Sequence, residues 1–134
     1  MNTEEVREWM SIADEDLYSA KFLNNAERKL YEVICYHCAQ SAKKYLKGYL
    51  VFNDIIPQKT HNLVSLSECC IEIDNAFQGI LEECDFLNQF DTDIRSPRRH
   101  EVTDGDVFRA FAAVEEIRRC NPIIDCRNSI DKEE

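Results

Sequence analysis

Arg95 and His100 are the residues whose types and spacing could do chemistry. They form an R-x4-H arrangement within the basic run Arg95-Ser96-Pro97-Arg98-Arg99-His100, just ahead of a helix start at Thr103. An imidazole can take a proton from a ribose 2′-hydroxyl. A guanidinium can hold the phosphate through paired N–H donors and stabilise the charge that develops on it. Backbone amides at the start of the last helix would add anion affinity. Such a set suits metal-independent RNA cleavage. The spacing is common by chance, and taken alone it reads first as a solvated basic loop.

A second polar set is His37, Gln40, Lys44 and Lys47, spaced i, i+3, i+7 and i+10 along one helix edge. With Arg98 and Arg99 these residues could line a groove for a phosphate or nucleotide, although most polar helix stripes are simply wet. Cys35-x-x-Cys38 lies on the opposite, apolar face and reads as core packing, since a structural zinc needs four ligands. Cys69 and Cys70 are adjacent and make a poor ligand pair. His61 follows Thr60 at a helix start, where a local hydrogen bond is its expected role. No H-x-x-x-H, H-E-x-x-H or paired-carboxylate signature occurs, so neither a metal nor a cofactor is expected.

The elements that must position these residues are helices. Apolar residues at Val6, Trp9, Met10, Ala13, Leu17, Ala20 and Leu23 predict a helix from Thr3 to about Asn24, with Thr3 as N-cap. Glu8, Asp14, Glu15 and Asp16 fall off that stripe and read as solvated. A second helix is expected from about Glu27 to Phe52. Its apolar face, from Tyr31 through Cys35, Cys38 and Tyr45 to Leu50, is broader than one partner helix requires. It is central in a bundle, or it also meets another subunit. The segment Asn53-Asp54-Ile55-Ile56-Pro57 ends this helix, since Pro57 biases its predecessor away from the helical region. Residues 62–90 read as one kinked helix or two, with a weak break near Asp74-Asn75. Residues 91–102 are the most loop-like stretch. Thr103 with Asp106 suggests a capping box for a last helix from Asp104 to about Cys120, which Pro122 breaks.

Composition agrees. The 134 residues include 3 Gly and 3 Pro, too few for a Gly-rich phosphate loop or for the many turns of an all-β fold. One domain is expected, an all-α antiparallel up-and-down bundle of four or five helices over residues 1–120, with a frayed tail at 121–134. The formal charge is −10, from 26 acidic and 16 basic residues, which argues against broad nucleic-acid coating. The charge is uneven: residues 28–61 net +4, residues 62–94 net −8 and residues 95–100 net +3. Seven cysteines, an odd number, with no apolar leader and no apolar run of ~18 residues, point to a cytoplasmic protein with reduced thiols and no membrane association.

The segment from Cys35 to Leu50, CYHCAQSAKKYLKGYL, resembles the second helix of HEPN domains, with their H-x-x-Q-x-A-x-K-x-L-K-A/G-x-L pattern. Trp9, Ala13, Asp16, Leu17 and Ala20 are similar to the first helix of that family. Thr60-His61-Asn62-Leu63 resembles its T-H-D/N-L opening, and Arg95 with Pro97 its R-Y-P element, Ser96 replacing the Tyr. Lys43 stands where the family often has an acid. The resemblance spans about residues 4–120. It implies a helical bundle that forms a homodimer, often beside a minimal nucleotidyltransferase in toxin–antitoxin-type modules. It also implies metal-independent endoribonuclease chemistry at Arg95 and His100, with the two copies of the motif facing each other across the dimer. The alternative it leaves open is a non-catalytic module that binds a nucleotide or a partner.

Overall fold

The computed structural model describes residues 2–60, 62–91 and 101–123. Five α-helices are present among them: α1 (Thr3–Asn24), α2 (Tyr31–Phe52), α3 (Leu63–Ile73), α4 (Leu81–Asn88) and α5 (Asp104–Cys120). A 3₁₀ segment, Asn75–Ile80, joins α3 to α4. The all-α bundle expected from the sequence is the observed architecture.

Local chemistry sets most helix ends. The α1 N-cap is Asn2, not Thr3: its side chain accepts from the Glu5 amide at 3.0 Å, while Glu4 and Glu5 occupy the positive end of the helix dipole. At the far end the Asn25 amide returns to Leu23 and Phe22, closing α1. Helix α2 therefore starts later than expected, at Tyr31, after the chain has turned. Asn62 caps α3 by accepting from the Val64 and Ser65 amides. The Asp74 carboxylate accepts from the Ala76 amide and starts the 3₁₀ segment, so the weak break near Asp74-Asn75 is real and residues 62–90 hold two α-helices with that segment between them. The capping box at α5 is present, with Thr103 and Asp106 bonded reciprocally.

Helix α2 is the centre of the bundle. It packs on α1 along most of its length and also on α3, α4 and α5, which accounts for the width of its apolar face. Ile34, Cys35, Cys38, Ala39, Ala42, Tyr45 and Leu46 are fully buried. Helices α1 and α2 run antiparallel, since Trp9 meets Lys47, Ala13 meets Ser41 and Asp16 meets His37. The Ser41 hydroxyl donates to the Ala13 carbonyl at 2.8 Å within this seam. Helices α3 and α4 are tied where the Asn88 side chain accepts from the Leu63 amide and donates to Asn62. Asn121, just past α5, donates to the Tyr45 carbonyl at 2.8 Å and so locks the end of α5 to α2.

Candidate functional site

The polar edge of α2 is not an open stripe. His37 and Lys44 both turn to one carboxylate of α1: Asp16 Oδ1 lies 3.0 Å from His37 Nδ1, and Asp16 Oδ2 accepts from Lys44 Nζ at 2.5 Å. Also on α1, Asp14 accepts from the Tyr45 hydroxyl at 2.5 Å. Burial, and then the Asp14 carboxylate, push the Tyr45 phenol well above its usual range. Asp14 and Asp16, expected to be solvated, instead bind α1 to α2. The reason is their facing partners: Lys44, His37 and Tyr45 all project from α2 into the same seam.

Gln40 turns the other way. Its amide and the Lys43 ammonium both donate to Asp91 Oδ1, the lysine at 3.1 Å. Lys43 and Asp91 are buried, so this is an ion pair removed from water. Lys47 lies with its ammonium 5.6 Å from the centre of the Trp9 ring, a cation–π arrangement. Desolvation, and then the neighbouring Lys43 charge, hold the Lys47 ammonium below the usual lysine range. Three lysines thus crowd one stretch of α2, and two carboxylates, Asp16 and Asp91, lie among them.

Asp91 is the last described residue before the segment at 92–100. Arg95, Arg98, Arg99 and His100 lie in that segment and outside the described residues, as does His61. The chain is described again from Glu101. Val102 is buried, and Thr103 is fixed as the cap of α5. Both flanks of the segment are therefore held, one on α2 and one on α5. The N-terminus of α5 differs from the expectation of an open anion site. Thr103 Oγ1 takes the Asp106 amide, the Asp106 carboxylate takes the Thr103 amide, and Asp104 adds a second negative charge in the first turn. A phosphate there would meet two carboxylates.

Of the polar residues singled out from the sequence as lining a groove, the structure describes His37, Gln40, Lys44 and Lys47. It brings His37 and Lys44 together on Asp16, turns Gln40 to Asp91 and sets Lys47 over Trp9. The groups that organise the edge, Asp16, Lys43 and Asp91, carried no local signal of that role. Cys35 and Cys38 are buried in the core, as their place on the apolar face requires. None of the six described cysteines is joined in a disulfide. Among the described residues, no group of three or more His, Cys, Asp and Glu is placed to hold a metal ion. No described helix is long and apolar enough to cross a membrane.

A broad central helix carrying an H-x-x-Q edge, an antiparallel first helix beside it, and a basic R-x4-H run in the sequence just before a capped last helix together define a class of small all-α domains. The HEPN domain family matches residues 6–123, and the chain belongs to that family. In three dimensions it is similar to the crystal structure of TT1696 from Thermus thermophilus. The TM-score is 0.71, over 93% of this chain and 98% of that one, at 19% sequence identity. That likeness is one of fold. No curated protein matches the sequence.

Proposed function

We propose that this chain is the HEPN component of a nucleotidyltransferase/HEPN module of the toxin–antitoxin type. In this reading it works as a homodimer and cleaves RNA without a metal, through Arg95 and His100. The observation that supports it most is the tie of Asp91 to Gln40 and Lys43. It fixes the residue that leads into the R-x4-H segment against the helix that carries Lys44 and Lys47. The charge state of that helix adds support. Lys47 is desolvated beside Lys43 and Lys44, and a phosphate near it would relieve their mutual repulsion.

The step balances with this chain's own groups. His100 takes the 2′-hydroxyl proton, the 2′-oxygen bonds to phosphorus, and the P–O5′ bond breaks. The leaving oxygen takes a proton from the same histidine of a second protomer. Arg95 holds the phosphate through its N–H donors. The products are a 2′,3′-cyclic phosphate and a 5′-hydroxyl. Purified protein is therefore expected to cut RNA in EDTA, with Arg95→Ala and His100→Ala each lowering the rate at least ~100-fold. Mixing the two variants is not expected to restore activity, because a mixed dimer keeps only one of the two His100 side chains that the step uses. Equal cleavage by wild type and both variants would reject the reading.

The second reading is a module that binds a nucleotide or a nucleotidyltransferase without cleaving. The closed N-terminus of α5 favours the partner-binding form of it, because the Thr103–Asp106 box leaves that end less able to hold a phosphate. It predicts heat on titration with ATP or with the partner, and silence in the RNA assay.

A further inference from the structure

A cavity of about 380 Å³ lies where the second half of α1 crosses the start of α2, lined by Tyr18, Ser19, Phe22, Leu23 and His37. Its two aromatic walls are anomalous for a surface. Tyr18 is 69% and Phe22 66% exposed, against a core in which the large side chains are almost wholly covered. Their rings are 6.5 Å apart and only 26° from parallel, so they form a stacking platform rather than two isolated apolar residues. Asp16 engages Nδ1 of His37, leaving Nε2 as the ring atom with a bond to offer. Nε2 has no hydrogen-bond partner among the described residues. In the tautomer that donates Nδ1–H to the carboxylate, Nε2 is an acceptor.

Two stacking rings and one directed acceptor fit a flat heterocycle bearing an N–H donor. We propose that this cavity is a nucleobase subsite: an unpaired base stacks on Tyr18 and Phe22, and its exocyclic amino group donates to His37 Nε2. The acceptor favours cytosine or adenine over uracil. His37 stands one helix turn, about 4.5 Å along the axis, from Gln40. Gln40 holds Asp91, where the chain leaves for the R-x4-H segment. The subsite thus deepens the proposed RNA reading, on which it rests, by naming what is bound besides the phosphate: a single-stranded base, because a paired base has its faces covered by its neighbours and its amino group taken by its partner.

The test measures binding apart from cleavage. Fluorescein-labelled 2′-O-methyl hexacytidylate, 2′-O-methyl hexauridylate and an abasic oligomer of equal length and charge are titrated with wild-type protein and followed by anisotropy. These probes lack the 2′-hydroxyl, so the result does not depend on Arg95 and His100 being catalytic. The cytidylate is expected to bind more tightly than the uridylate, and both more tightly than the abasic chain. Tyr18→Ala and Phe22→Ala should each weaken binding of the cytidylate about tenfold, while Phe22→Tyr retains it. His37→Ala should remove the preference for cytosine. The two aromatic side chains are exposed, so melting curves should be unchanged. Equal binding of the abasic chain, or unaltered affinity in both aromatic variants, would overturn the proposal. So would a change in oligomeric state by light scattering with no change in affinity, which would make the platform a contact between copies. Intact binding with no cutting of ordinary RNA rejects the cleavage reading and leaves the subsite standing.

Discussion

Asp91 and Lys43 form an ion pair that water scarcely reaches, with Nζ to Oδ1 at 3.1 Å. Burying two charges is expensive, and their attraction repays it only while both are present. Lys43→Met would strand the Asp91 carboxylate in a dry site, and a loss of about 3–5 kcal/mol in unfolding free energy is expected by urea titration. Lys43→Met with Asp91→Leu removes both charges and should recover much of that loss. If the double variant is no more stable than the single one, the pair does not work as described. None of this was legible in the sequence, because the partners are 48 residues apart and their meeting is a product of the fold. The same holds for Asp16, 21 residues from His37. The Thr103–Asp106 box was legible because its two bonds close within one turn. Residue-scale features were readable where the partner is local, and hidden where the partner arrives from another helix.

At the scale of elements the reading was better, since apolar periodicity is a property of each helix by itself. The stripes of α1 and α5 gave their bounds, and the wide face of α2 gave its central place. What periodicity could not show is how close two helices come. Gly48 decides this for α1 and α2. A Cβ placed there would lie 3.2 Å from Trp9 Cβ and 3.3 Å from Met10 Sδ. The thioether can swing aside, but Trp9 Cβ is fixed to its backbone. Gly48→Ala gains about 1 kcal/mol of helix propensity against this crowding, so the change should be small. Gly48→Val brings branched bulk and no comparable gain, and a loss of about 1–3 kcal/mol is expected. The shift should be visible as a lower urea midpoint and as altered fluorescence of Trp9, the single tryptophan of the chain. A Val variant as stable as wild type would mean that the seam is looser than these distances imply.

For the whole molecule, three of the seven cysteines make the fold sensitive to alkaline pH. Cys38, Cys70 and Cys84 are fully buried, and burial pushes each thiol upward, Cys84 to about 12 and the other two beyond it. In an unfolded chain these thiols ionise near ~8.5. Above that pH the unfolded state sheds protons that the folded state keeps, so unfolding is favoured as pH rises. The stabilising contribution is complete below ~8.5 and is lost progressively toward the folded values. Each thiol contributes about 1.4 kcal/mol per pH unit in that window, so three give at most about 4 kcal/mol per unit. Tyr45, raised by burial and by Asp14, joins from about pH 10 in the same direction. Lys47, held below its usual range by desolvation, works the opposite way, its penalty being relieved near its own titration. Urea unfolding under reducing conditions is expected to be flat from about pH 7 to 8 and to fall steeply by about pH 10, with the slope reduced by about one proton in Cys70→Ala. In parallel, Cys35, Cys38, Cys70 and Cys84 should resist a maleimide at about pH 8 until the chain is denatured, whereas the half-buried Cys69 should label in the native state. A stability that does not change between about pH 8 and pH 10 would show that these thiols reach water in the folded protein.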